Sequence, residues 1–160
     1  MKKIKVLLSD VDGTLTDGSI IYSDSGHNIS AFCVKDGMAI KMLRDKQIVP
    51  AIVSNRSNPH AKTRFQELGV ADIFLSCSNK RNALDALCEK YDIGYEEIAY
   101  IGDDLNDIDC INLCKLTAAP QDAIIEVKAK AKYVCHKKGG QGAYREFCEL
   151  VLLINSLLEG

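Results

Sequence analysis

Short apolar runs alternate along this chain with stretches of helical period, and that alternation leaves few folds open. Runs at 4–8, 48–53, 73–75, 98–101 and 133–135 read as strands. Between them, Asp36 is placed to cap a helix with Met38 and Met42 on its inner face. Asn58 followed by Pro59 opens another, whose Ala61, Phe65 and Leu68 share a face until Gly69. Ala83, Leu84, Leu87 and Cys88 repeat the pattern. Phe147, Leu150, Val151, Ile154, Leu157 and Leu158 give the last helix a continuous apolar stripe. Strands joined through helices make right-handed βαβ units, so the expected class is α/β with a mainly parallel sheet.

In such a sheet the working crevice lies beyond the carboxyl ends of the strands. Asp10 and Asp12 follow the first run, Ser54, Asn55 and Arg56 the second, Lys80 the third, and Gly102 to Asp107 the fourth. Four polar clusters therefore meet at one edge. The stretch 19–34 breaks the alternation and reads as a β-hairpin that projects over the crevice as a flap.

Bulk properties narrow the partners. With 160 residues the chain is expected to form a single domain over 1–160, ending in a loop and helix at 139–160. A net charge of -2 gives no general attraction to nucleic acid or to an anionic membrane, so neither is an expected partner. A small anionic substrate then needs a local cation. The seven cysteines are scattered, odd in number and free of any C-x-x-C pair, which suits reduced thiols and a cytoplasmic setting.

Asp10-Val11-Asp12-Gly13-Thr14 sets two carboxylates two residues apart, on one face if the strand continues. Such a pair repels itself unless a cation intervenes, and Mg²⁺ takes one or two carboxylates together with waters and a phosphate. Asp103 is the further acid expected at that ion. Asp10 is placed to attack phosphorus, and Asp12 to protonate the leaving alkoxide and then activate water. Ser54 and Lys80 offer a hydroxyl and a positive charge to the phosphoryl oxygens.

The ordered set Asp10-Val11-Asp12-Gly13-Thr14, Val53-Ser54-Asn55, Lys80 and Gly102-Asp103-Asp104-Leu105-Asn106-Asp107 resembles the four motifs of the haloacid dehalogenase superfamily. That resemblance implies a three-layer Rossmann-like fold, a phospho-aspartate on Asp10, and Mg²⁺ held by Asp10, Asp103 and the carbonyl of Asp12. It implies Asp107 as the residue that orients Lys80 or a metal-bound water. The gaps between motifs hold no cap domain. Gly139-Gly140-Gln141-Gly142-Ala143-Tyr144-Arg145-Glu146 is similar to an element of capless members. These are the 3-deoxy-D-manno-octulosonate 8-phosphate phosphatases, the nonulosonate 9-phosphate phosphatases and the C-terminal modules of acylneuraminate cytidylyltransferases.

By that likeness the substrate is a phosphorylated sugar acid, with Thr14, Asn55, Arg56 and Arg145 among its contacts. The assembly is a homotetramer in which a neighbour closes the site. Arg56 favours the octulosonate ester; an acylneuraminate or deaminated nonulosonate 9-phosphate is the alternative. A non-catalytic tetramerisation module is a reading from another class, favoured by the flanks of Ser54-Asn55-Arg56 and opposed by the intact Asp10, Asp12, Lys80 and Asp103.

Overall fold

In the computed structural model, which describes residues 2–160, the elements run β1 (Val6–Ser9), β2 (Ile21–Tyr22), β3 (Asn28–Ile29), α1 (Val34–Asp45), β4 (Val49–Val53), α2 (Pro59–Glu67) and β5 (Asp72–Phe74). They continue as α3 (Arg81–Tyr91), β6 (Ile98–Ile101), α4 (Ile108–Leu113), β7 (Leu116–Ala119), α5 (Ile125–Lys130), β8 (Tyr133–Val134) and α6 (Ala143–Leu157). β1, β6 and β7 are buried along their whole length, as a parallel sheet covered on both faces requires. Successive side chains point to opposite faces and so feed two cores. Leu7, Ile52, Ala99 and Ile101 enter one, with α1, α2 and α6. Leu8, Val53, Ile98 and Tyr100 enter the other, with α3, α4 and α5.

The six main strands lie in the order β5-β4-β1-β6-β7-β8, and every pair is parallel. Strand order reverses at β1, so the chain leaves β1 at the switch point where α/β sheets open a crevice. The three layers and the parallel sheet match the expectation.

Three sequence readings need correction here. β7 was not among the expected strands, because Leu116 and Thr117 are its only strand-favouring residues and two alanines, poor strand formers, follow them. Pairing with β6 and β8 makes it a strand nonetheless. Asp36 is not a cap: Cys33 holds that position and Asp36 lies buried in the first turn of α1. The inner face of α1 is Ala39, Ile40 and Leu43, with Met42 half-buried against the same core as expected, whereas Met38 is exposed. Both stripes have helical spacing. Close packing of α6, whose Cys148 thiol donates to the Ala39 carbonyl, covers the stripe of Ala39, Ile40 and Leu43.

The Asn58 cap is as expected, its Oδ1 accepting the amides of His60 and Ala61. The hairpin is shorter than read. It pairs Ile21 with Ile29 and Tyr22 with Asn28, and Val34 already belongs to α1. Ile20, Ile21, Tyr22 and Ile29 on it are all exposed. No helix among the described residues is long and apolar enough to cross a membrane.

Candidate active site

β1 ends at Ser9, and the Asp10 amide donates to the Ile101 carbonyl at 3.0 Å, which joins the first loop to the end of β6. The chain then turns through Gly13 at φ +88°, a conformation that disfavours any side chain. Gly13 is required a second time by contact. A Cβ there would overlap the Asp103 carboxylate, so the first and fourth loops touch only because this residue has none.

Lys80 precedes α3, and its ammonium is buried between two carboxylates. Its Nζ donates to Asp10 Oδ1 at 2.5 Å and to Asp107 Oδ1 at 2.7 Å. Asp107 is saturated. Its Oδ1 also accepts from the Tyr100 hydroxyl at 2.5 Å, and its Oδ2 accepts the amides of Asp103 at 2.8 Å and Asp104 at 3.0 Å. With four donors in place, Asp107 orients Lys80 and folds the fourth loop.

Burial and the nearby Asp107 charge push the Asp10 carboxyl up to about 6, against the opposing pull of Lys80. Burial and the Asp10 carboxyl push Asp103 up to about 9. Lys80 would be lowered by burial, yet Asp10 and Asp107 outweigh it and hold the ammonium above its ordinary range. The Tyr100 hydroxyl is likewise driven far up by burial and by Asp107, so it stays a donor.

Carboxylate oxygens of Asp10, Asp103 and Asp107 lie within 4.8 Å of one another. Asp10 Oδ2 is buried and has no hydrogen-bond partner among the described residues. An orphaned buried oxygen beside a second acid is a poor end state for an apolar surround and a good one for a hard cation. The donor set therefore fits Mg²⁺, which Asp10 and Asp103 could hold, while the oxygens of Asp107 are occupied by other donors.

The other expected residues divide. The Asp12 carboxylate leaves the cluster, because the backbone turns between Val11 and Gly13 and the one-face reading fails. It faces Ser54 Oγ and Arg56 Nη1, both at 3.4 Å. Only its carbonyl remains as a candidate ligand. Ser54 is buried, and its Oγ accepts the Arg56 amide at 3.1 Å. Asn55 is exposed beside them. Thr14 is fully buried with its hydroxyl unpartnered among the described residues, and its carbonyl accepts from Gly140. Arg145 stands on α6, its amide on Asp36 and its Nε 2.6 Å from Glu149, outside the cluster. Sequence reasoning missed Tyr100. Its only signal is a hydroxyl in an otherwise apolar strand, two residues before the Gly102 turn.

A family profile described as haloacid dehalogenase-like hydrolase matches residues 69–147. The 3-deoxy-D-manno-octulosonate 8-phosphate phosphatase of Haemophilus influenzae is 38% identical over 152 residues, which is 95% of this chain and 84% of the relative. The chain belongs to the haloacid dehalogenase-like hydrolases. It is a phosphoric monoester hydrolase of the octulosonate 8-phosphate phosphatase family. The crystal structure of the Yersinia pestis octulosonate 8-phosphate phosphatase superposes with a TM-score of 0.93 at 38% identity, covering 98% of this chain and 85% of that one. The Moraxella catarrhalis phosphatase, solved with magnesium, phosphate and KDO, gives 0.92 at 36% identity, covering 98% and 90%. Magnesium as cofactor thus agrees with the donor set read from the geometry and with that relative.

Proposed function

We propose that this hydrolase removes the terminal phosphate of 3-deoxy-D-manno-octulosonate 8-phosphate through a phospho-aspartate on Asp10. The observation that carries the reading is the buried set Asp10, Lys80, Asp103 and Asp107, in a chain 38% identical to a phosphatase of that ester.

Asp10 bonds to phosphorus as the bond to the sugar oxygen breaks, and Asp12 gives its proton to the departing alkoxide. Asp12 then takes a proton from water as that water attacks the acyl phosphate, which frees inorganic phosphate and restores Asp10. Lys80 fixes the Asp10 carboxylate by its 2.5 Å contact and neutralises phosphoryl charge. Ser54 and the amides after it hold the phosphoryl oxygens. Asp10, Asp103 and the Asp12 carbonyl would hold Mg²⁺, which would supply charge neutralisation at the phosphoryl group.

Arg56 is half-buried and paired with Asp12, where a sugar-acid carboxylate would compete for it. Thr14 and Asn55 frame the same side of the crevice. The hairpin acts as a flap, and its exposed Ile20, Ile21, Tyr22 and Ile29 support a homotetramer in which a neighbouring subunit covers them and brings Arg145 to the substrate. A scaffold alone has no use for a buried Lys80 between two acids.

Phosphate release is measured on octulosonate 8-phosphate, N-acetylneuraminate 9-phosphate and the deaminated nonulosonate 9-phosphate, with Mg²⁺ and with chelator. The expected order puts the octulosonate ester first, with activity lost in chelator and reduced by roughly 10⁴ or more in Asp10→Asn. Undiminished turnover in Asp10→Asn ends the phospho-aspartate route. Preference for a nine-carbon ester moves the substrate assignment and leaves the mechanism standing.

A further inference from the structure

The loop between β8 and α6 lies directly on the nucleophile loop. Gly140 donates its amide to the Thr14 carbonyl at 3.0 Å. Gly139 is buried, and a Cβ on it would overlap the carbonyl group of Gly13, while one on Gly140 would meet the backbone of Thr16 and Asp17. All of these neighbours are main chain, so no side-chain rotation relieves the overlap.

The same loop is tied to the fourth motif. Gly139 donates its amide to Asp122 Oδ1 at 3.0 Å, and Gln121 donates to the Lys137 carbonyl at 2.9 Å. Two residues on, the Ile124 amide donates to the Asp103 carbonyl at 3.0 Å. The loop therefore meets the turn after Asp12 directly and is linked to Asp103 through the stretch 121–124.

Its two flanks are pinned by acids the reaction does not use. Glu146 accepts the amides of His136 at 2.9 Å and Lys137 at 3.0 Å, and the Tyr133 hydroxyl at 2.7 Å. Asp36 is buried in α1 and accepts the Arg145 amide at 2.9 Å, which anchors the first turn of α6.

We propose that segment 137–142 is a brace that sets the spacing between the loop of Asp10 and Asp12 and the loop of Asp103, with Asp36, Asp122 and Glu146 as positioning residues for the hydrolysis. The glycines are the surface along which the brace meets the first loop. The proposal rests on the reading of Asp10, Asp12 and Asp103 given above, and it predicts effects that do not require the substrate to be known.

Gly139→Ala, Asp122→Ala and Glu146→Ala are compared with Val151→Ala, a core truncation farther along α6. Hydrogen exchange of the 13–18 amides and Mg²⁺-dependent shifts in melting temperature are read first, without substrate. Hydrolysis of the octulosonate ester follows. In Gly139→Ala the 13–18 amides exchange faster, Mg²⁺ half-saturation rises, and kcat falls about a hundredfold, the cost of misplacing reacting groups by about 1 Å, while KM holds. Asp122→Ala and Glu146→Ala shift the same three readouts by less, and Asp36→Asn, which keeps an acceptor for the Arg145 amide, recovers what Asp36→Ala loses. Val151→Ala lowers only the melting temperature. The brace is refuted if the three brace variants behave like Val151→Ala, with exchange at 13–18 and the Mg²⁺ titration unchanged. Should Gly139→Ala fail to fold, the exposed Asp122→Ala decides between the same two outcomes.

Discussion

Replacing Lys80 by methionine keeps most of the side-chain volume and removes the one positive charge in the buried cluster. The Lys80 side chain is 1% exposed, and its partners on Asp10 and Asp107 are 6% and 0% exposed. Removing one member of such a set leaves uncompensated buried charge, which costs about 3–5 kcal/mol. At about 2–4 °C per kcal/mol for a chain of this size, the melting temperature should fall by roughly 6–20 °C in chelator. Charge rather than packing is tested by a double-mutant cycle. Asp107→Asn alone also destabilises, because Lys80 then has a weaker partner and the Asp103 and Asp104 amides lose a charged acceptor. Lys80→Met combined with Asp107→Asn should be less damaging than the two losses together, with a coupling of about 1–3 kcal/mol. Additive losses, within about 0.5 kcal/mol, would mean that Lys80 is held by shape alone, and the electrostatic account of the site would be wrong.

Magnesium should raise the melting temperature of the substrate-free protein, by an amount equivalent to about 2.7 kcal/mol at a hundredfold excess over Kd, and Asp103→Asn should abolish most of the rise. An unchanged magnesium response in Asp103→Asn, followed by calorimetry, would remove Asp103 from the ligand set. Glu146 gives the pH prediction. Burial alone would raise it, but the amides of His136 and Lys137 and the Tyr133 hydroxyl hold its carboxyl at about 2. A depressed folded value means that its stabilisation is present above the ordinary carboxyl range and is lost as pH falls toward 2. Wild type and Glu146→Gln should therefore differ in melting temperature at pH 7 and converge through pH 4 to 2.5; a constant gap would show that the carboxylate is not what holds the loop.

How much of this could be read beforehand depends on the range of the interaction. Asp10, Ser54, Lys80 and Asp103 were legible because each follows an apolar run, and the rule that α/β crevices open at strand ends carries local pattern into space. Asn58 with Pro59 was legible because capping is wholly local. The direction of the Asp12 side chain was not, since a turn of one residue sends it to Arg56 instead of the acid cluster. Asp36 looked like a cap on its own helix and instead anchors α6, 109 residues away. Gly139 and Gly140 read as a loop because a glycine's spacing says nothing of what lies against it. Only the tertiary contact with Gly13 and Thr16 explains them.

The charges of the cluster state why its parts are separate. Asp10, Asp103 and Asp107 carry three negative charges when ionised, and Lys80 returns one, leaving the charge of a single dication to be matched. Asp107 cannot match it, because both its oxygens are already filled by Lys80, Tyr100 and two backbone amides. Asp10 is divided between two tasks. Its Oδ1 is taken by Lys80 at 2.5 Å, while Oδ2 is buried and unpartnered among the described residues. The excess therefore falls on Asp10 Oδ2 and Asp103, and both acids are raised, Asp10 by burial and the Asp107 charge, Asp103 by burial and the Asp10 carboxyl. A divalent cation held by those two acids would supply the missing positive charge and so favour their ionised forms. Asp107 serves a different end: with four donors it holds Lys80 and the fourth loop in place.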